Sequence, residues 1–325
     1  MKIFKIQKVL AKHLFLNLSD KCNLDCGVCY GHLLLGKKTN MSLETAQTAT
    51  DFYYTNRDVN YNYHYIMFFG GEPLLNFDII PKYLDWFKEK YKSFKCNFFL
   101  FTNGILLEKQ KTDYLLSQNI GIFISYDNDF EYFSKHKNIS EKNYEHITDI
   151  IKYACSINPE MIIPYYIIHD GDVEKVESFY NEMHRMGLKK VAVTREIYTK
   201  WDNKNNRCIK DISFFIKKNT GLKLLIYPEI LGTCVNCSPH NIMIYPNGDI
   251  FDLCLVSGSS LHRLNLIQKD DLSVFYMGNI YKDSILRMDI SKKKNMIQGT
   301  DYKIINSHCP TITANLEETK WLWED

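Results

Sequence analysis

From residue 14 to about 195 the chain alternates short β-branched or aromatic runs with longer stretches of helical period, a pattern that few folds satisfy besides βα units around a parallel sheet. The expected strands are 14–18, 64–69, 97–102, 121–125, 161–168 and 189–194, about six units in all. Between them, "SLETAQTATDFYY" opens on Ser42, a good N-cap. A second helix is expected from Asp172 to Gly187, with Val173, Val176, Phe179, Tyr180 and Met183 on one stripe and a glycine to end it. Such helices cover the outside of a sheet. At 325 residues the chain exceeds one ordinary domain but not one barrel, so a large unit with a small appendage is expected.

After residue 220 the pattern changes to strand, turn, strand, and in "HNIMIYPNGDIFDLC" the Pro246-Asn247-Gly248 turn between two apolar runs signals a hairpin. The polar stretch 199–211 reads as a linker, so the chain divides into residues 1–215 and a smaller module at 216–325. Forty basic and 38 acidic residues leave a formal charge of +2 with the signs interspersed, which gives no footprint for nucleic acid or anionic lipid. Apolar stretches fall far short of the ~18 residues of a membrane span, and "MKIFKIQKVLAKH" spreads its lysines through the run, so no membrane segment or signal peptide is expected and the reading is cytoplasmic.

Ten cysteines in a chain with a full apolar complement do not read as a disulfide scaffold, and their clustering points to metal. In "CNLDCGVCY", just past the first strand, Cys22, Cys26 and Cys29 offer three soft thiolates, which suit an iron-sulfur cluster or zinc. Three ligands on a four-iron cube leave one iron open to a substrate or cofactor, whereas a structural site would close it. The competing readings are three unrelated core cysteines or a zinc loop, for which His32 is the one fourth ligand near at hand. Past the second strand, "MFFGGEPLL" sets Gly70-Gly71-Glu72, where glycines permit close backbone approach and a carboxylate can accept from an ammonium group. Alone, such a triplet is an ordinary turn. All these residues lie at carboxyl ends of strands, the face where barrel active sites are built.

The C-x3-C-x2-C loop after the first strand, followed one strand later by Gly-Gly-Glu, closely resembles the radical S-adenosylmethionine (SAM) enzymes. The resemblance implies an α/β fold, a partial (β/α)6 TIM-like barrel, with a 4Fe-4S cluster on Cys22, Cys26 and Cys29 whose open iron chelates the amino and carboxylate groups of S-adenosylmethionine. It implies that Gly70, Gly71 and Glu72 meet the methionine amino group, and that Asn103, Ser125 and Asp127 meet ribose and carboxylate. Arg195, at the end of the sixth strand, is a further candidate on that side, while Lys135 or Lys137 would have to serve where relatives often carry arginine. One departure is visible: the position before the last cysteine, commonly aromatic, is Val28, with Tyr30 just after.

Cys234-x2-Cys237, Cys254 after the hairpin and Cys309 in "NSHCPT" make a set of four, open to reading as a zinc ribbon or as free core cysteines. Within the family the tail resembles the SPASM or shortened twitch extension, a small β-hairpin/helix module, and "GNIYKDSIL" at 278–286 is similar to the segment after that hairpin. Five residues separate Gly248 from Cys254 where four are usual, and the cysteines for a second auxiliary cluster are missing, so one auxiliary iron-sulfur cluster is implied, of 4Fe-4S type. Cys96 and Cys155 read as small core residues, and Cys208 as a loop cysteine able to donate a hydrogen atom.

The resemblance implies an enzyme that draws one electron from a donor such as flavodoxin or ferredoxin and uses a 5′-deoxyadenosyl radical to modify a ribosomally made peptide or protein by crosslinking, oxidation or epimerisation. Only 13 residues precede the first strand, so a leader-binding domain is not expected there and a leader would bind elsewhere or through a separate protein. The competing functions are dehydrogenation of a small molecule such as a sugar or cyclitol, and a non-catalytic metal-binding protein with a zinc tail.

Overall fold

The computed structural model describes residues 11–26, 29, 38–60, 64–168, 173–195, 221–226, 241–252 and 275–282. The expected strands form as β1 (His13–Ser19), β2 (His64–Gly70), β3 (Cys96–Thr102), β4 (Ile120–Ser125), β5 (Ile162–Ile168) and β6 (Lys190–Arg195). Each pairs in parallel with the next, so all their carboxyl ends lie on one side. The connections carry helices α1 (Leu43–Asn56), α2 (Ile79–Lys90), α3 (Lys109–Ser117), α4 (Phe130–Lys137), α5 (Glu141–Ile157) and α6 (Val173–Arg185), with a 3-10 turn at Pro73–Asn76. This is the partial (β/α)6 TIM-like barrel that the alternation and the resemblance led one to expect.

Strand period two divides the apolar residues between two cores. In β1, Leu14, Leu16 and Leu18 face the helices while Phe15 faces the barrel interior. The outer core collects Ile66, Phe68, Leu100 and Ile122 against helix residues such as Tyr53, Tyr83, Phe87 and Ile151. The inner core is paved with rings: Phe101 and Phe123 stack at 4.4 Å with planes 5° apart, and Phe69 meets Phe101 edge-on at 5.5 Å. Gly121 makes room for this paving, since a Cβ there would stand 2.5 Å from the Phe99 ring.

The helices end as their sequences dictate. Ser42 caps α1 by accepting from Thr45 N at 3.0 Å, and on α6 Val176, Phe179, Tyr180 and Met183 are buried on the expected stripe. Gly187 follows α6 at φ +83°, a left-handed position where glycine carries no Cβ penalty. Cys155 is buried in α5, its thiol donating to Met186 O at 3.2 Å, and Cys96 opens β3 against the outer core.

Four further strands, β7 (Lys223–Ile226), β8 (Asn241–Ile244), β9 (Asp249–Asp252) and β10 (Tyr276–Asn279), complete one ten-stranded sheet in the order β10-β9-β8-β1-β2-β3-β4-β5-β6-β7. The expected hairpin is β8 and β9 around Pro246-Asn247-Gly248, where Gly248 takes φ +84°. It adds to the barrel sheet directly, because β8 pairs in parallel with β1 from His13–Asn241 to Leu16–Ile244. Tyr281 reinforces this edge by donating to Thr45 of α1 at 2.7 Å. Among the described residues no helix is long and apolar enough to cross a membrane.

Phe123 is 2% exposed and joins the stacked layer, whereas Val59 is 66% exposed. Phe123→Ala is expected to lower unfolding free energy by about 3–5 kcal/mol in urea titration, and Val59→Ala by no more than about 0.5 kcal/mol.

Candidate functional site

The cysteine loop leaves the carboxyl end of β1, and its neck is clamped. Asp20 N donates to Thr39 O at 2.9 Å, Met41 N to Leu18 O at 2.8 Å, and Ser19 Oγ to Asn40 Oδ1 at 2.8 Å. Asn76 then bridges the two sides of the neck from below, donating to Leu18 O and Met41 O at 3.0 and 2.9 Å. Asp20 is buried, with burial pushing its carboxyl upward while Thr39 and Asn17 donate to it and pull the other way.

Against this neck lies the Gly70-Gly71-Glu72 turn. Sequence reasoning reserves the glycines for close approach to a ligand; in the structure the surface they approach is the chain itself. A Cβ on Gly70, whose φ is +141°, would meet Asn17 Oδ1 at 2.4 Å and Ser19 O at 2.5 Å. One on Gly71 would meet Lys21 O at 2.4 Å. Backbone bonds fill that space: Gly71 N donates to Ser19 O and Glu72 N to Lys21 O, both at 2.8 Å.

Glu72 is fully buried. Its Oε1 accepts from Leu74 N at 3.0 Å and Thr102 Oγ1 at 2.8 Å, and its Oε2 from Asn103 N at 2.9 Å. The carboxylate therefore braces the ends of β2 and β3. Burial pushes it up to about 7, the desolvation outweighing the three donors that favour the ionised form.

Of the three loop thiols Cys22 is exposed, Cys29 half-buried and Cys26 buried. Leu24 N donates to Cys22 Sγ at 3.4 Å, Cys29 N to Cys26 O at 3.1 Å, and the Cys26 thiol to Lys137 O at 3.6 Å. Burial pushes Cys26 up to about 11 against the pull of the Lys137 charge, and Cys22 and Cys29 each push it further. Among the described residues no three His, Cys, Asp or Glu side chains converge on a point where one metal ion could sit; thiolates bound to different irons of one cluster do not require such convergence. Three thiols on one short loop at a strand end fit an iron-sulfur cluster, whose binding would displace the thiol protons.

The other strand ends gather on the same side. Asn103 follows β3 and its side-chain amide donates to Asn23 Oδ1 at 2.8 Å and Cys22 Sγ at 3.8 Å. Ser125 closes β4, and the buried Asp127 just beyond accepts from Asp129 N at 2.9 Å. Asp127 lines a cleft together with Tyr132, His136 and Lys137 of α4 and Tyr165 of β5. Arg195 closes β6, paired with Ile168. Lys137 stands between this cleft and Cys26, a placement that depends on how α4 packs and that spacing along the chain leaves undecided between Lys135 and Lys137. Asp20 and Asn17 went unnoticed in the sequence, where nothing distinguishes them from ordinary strand-end residues. Cys208, Cys234, Cys237, Cys254 and Cys309 lie outside the described residues.

Replacing the Glu72 carboxylate by an amide turns an NH2 donor toward a backbone N–H, so Glu72→Gln is expected to cost about 1–3 kcal/mol. The folded carboxyl sits near 7, above its ordinary 4.5, so its contribution is full at low pH and is lost as pH rises through about 7. Gln does not titrate. The lead of wild type over Glu72→Gln in urea unfolding is therefore expected to shrink between pH 4.5 and about 8, by about 3 kcal/mol in all; a lead independent of pH would contradict the raised carboxyl.

Residues 16–183 match the model of the radical SAM superfamily. A stretch of 116 residues is 35% identical to the uncharacterised protein MJ0907 of Methanocaldococcus jannaschii, covering 36% of this chain and 38% of that protein. Another, of 133 residues, is 26% identical to the radical SAM cyclopropyl synthase TigE of Paramaledivibacter caminithermalis, covering 36% of this chain and 27% of that one. The matched stretches thus span well under half the length of these relatives. In fold, the chain is similar to Streptococcus suis SuiB bound to its precursor peptide SuiA (TM-score 0.58, 16% identity, 86% of this chain and 66% of that one). It is similar also to native anSMEcpe with bound AdoMet and Kp18Cys peptide (TM-score 0.61, 17% identity, 93% of this chain and 82% of that one). The family match covers more than half of the chain and takes in the clamped cysteine loop, the Gly-Gly-Glu turn and the strand ends around them: the chain belongs to the radical SAM superfamily, whose members imply S-adenosylmethionine and a 4Fe-4S cluster.

Proposed function

We propose that this chain is a radical SAM enzyme that modifies a ribosomally made peptide or protein by crosslinking, oxidation or epimerisation. The observation that carries the reading is the loop of three thiols, pinned at its neck and fused by backbone bonds to the Gly-Gly-Glu turn. Cys22, Cys26 and Cys29 would hold the 4Fe-4S cluster with one iron left to the amino and carboxylate groups of S-adenosylmethionine. The chemistry that cluster and cofactor supply together when bound is one-electron cleavage of the sulfonium and hydrogen-atom abstraction from a C–H bond by a 5′-deoxyadenosyl radical.

The rest is the protein's part. Gly70 and Gly71 bring the backbone beside the cysteine loop, where it can meet the methionine amino group, while Glu72 holds that backbone in place. Ser125, Asp127 and Lys137 would meet ribose and carboxylate at the same end of the barrel, and Arg195, which ends β6, is proposed for the same role. Below them the inner core is largely apolar rings, which would limit water near a reactive substrate.

A peptide substrate is supported by the likeness in fold to two enzymes solved with peptides bound. In the tail, residues 216–325 are proposed as a twitch-like module in which Cys234, Cys237, Cys254 and Cys309 hold one auxiliary cluster. The hairpin supports this, because Ile242 pairs with Asp252 and so brings the chain just after Cys237 beside the chain just before Cys254. Cys208 is proposed as a hydrogen-atom donor, and a flavodoxin or ferredoxin as the electron source.

After anaerobic reconstitution the protein is expected to hold about eight irons and eight sulfides per chain, and to release 5′-deoxyadenosine on reduction with S-adenosylmethionine. Cys26→Ala should abolish that release, and Cys237→Ala should remove about half of the iron. Incubated with candidate peptides encoded beside its gene, it should change their mass by the loss of two hydrogens, or leave the mass unaltered while solvent deuterium enters. Zinc in the tail would sink the auxiliary cluster, and 5′-deoxyadenosine with a dehydrogenated sugar or cyclitol would sink the peptide substrate.

A further inference from the structure

We propose that Asn103 is a positioning residue that raises the reduction potential of the cluster at Cys22 by donating a side-chain N–H to the Cys22 sulfur. The proposal rests on reading Cys22, Cys26 and Cys29 as iron ligands, and its test separates the two. Asn103 has no freedom to point elsewhere. Its backbone N–H is held by Glu72 Oε2 at 2.9 Å, and its Oδ1 accepts from Ile105 N at 3.0 Å. That second bond decides which end of the carboxamide is oxygen, so the two hydrogens of Nδ2 face the cysteine loop. One goes to Asn23 Oδ1 at 2.8 Å and the other to Cys22 Sγ at 3.8 Å.

The turn that carries Asn103 is equally constrained. Gly104 sits at φ +85°, and a Cβ there would press on Ile124 at 3.1 Å and Ile147 at 3.2 Å. Its N–H is taken by Thr102 Oγ1 at 3.0 Å, and the Thr102 hydroxyl donates in turn to Glu72 Oε1 at 2.8 Å. The buried carboxylate thus fixes Asn103 from both its backbone and its neighbour. A donor so fixed loses no rotamer entropy when it meets the sulfur.

Negative charge on the cluster sulfurs grows on reduction, so an N–H aimed at a ligand thiolate stabilises the reduced form more than the oxidised one and raises the potential. Leu24 N is a second donor to the same sulfur at 3.4 Å, which leaves Asn103 as the side-chain contribution open to substitution. The reaction is uptake of one electron by the oxidised cluster, supplied in the test by dithionite.

The test uses the full chain reconstituted anaerobically as wild type, Asn103→Ser and Asn103→Leu. Serine keeps an oxygen for Ile105 N but is too short to reach Cys22, and leucine is near in shape, uncharged and without a donor. Iron and sulfide are counted, and the potential is read by titration followed by electron paramagnetic resonance. Both variants are expected to carry wild-type iron and to titrate lower, the equilibrium constant for reduction falling about threefold or more, or roughly 28 mV at 59 mV per tenfold. Wild-type potential at full iron in both variants overturns the proposal and leaves the loop reading intact. Failure of both variants to load, with wild type loading fully, overturns it too, since Asn103 then only scaffolds the loop. A wild type that takes up no iron-sulfur cluster overturns the loop reading and the proposal together.

Discussion

The site hangs on a contact that contains no side chain. Where β2 ends, its backbone crosses the start of the cysteine loop at hydrogen-bonding distance, and only glycine at positions 70 and 71 leaves room for the crossing. The carboxylate of Glu72 locks the arrangement. Taking a carboxylate out of water costs several kcal/mol, and three well-placed donors from two strand ends are needed to offset it. A misaligned strand would strand the charge, so the brace selects one register for β2 and β3 as firmly as a packed core does. The loop is rigid at its neck because of this backbone, while two of its thiols remain open to solvent or half so.

Packing divides the labour. Helices pack on one face of the strands and rings dominate the other, where His13 and Asn17 of β1 are also buried. Asn103 follows β3, Ser125 and Asp127 stand at the end of β4 and Lys137 at the end of α4, so this side of the barrel gathers polar residues distant in sequence.

Much of this was legible in the chain. The six strands and the hairpin came from period-two runs bounded by turn residues, and the thiol loop from spacing alone, because the forces that set them are local. What was not legible is tertiary. Glu72 reads in sequence as an acceptor for a ligand; that its oxygens also accept from Leu74, Thr102 and Asn103 depends on where β3 lies. That Lys137 lies on the cleft beside Asp127 depends on the packing of α4, and the pairing of β8 with β1 has no sequence signal, since parallel neighbours are joined by no turn. The tail cysteines stay with their sequence-based reading, as they fall outside the described residues.

The pairing of β8 with β1 has a practical side. β1 is covered on one edge by β2 and on the other by a strand more than two hundred positions further along. A shortened chain that stopped before Asn241 would bare the backbone donors and acceptors of His13 to Leu16, a naked strand rim of the kind that recruits other molecules into aggregates. Dissecting the cysteine-loop half for separate expression therefore calls for keeping the hairpin attached.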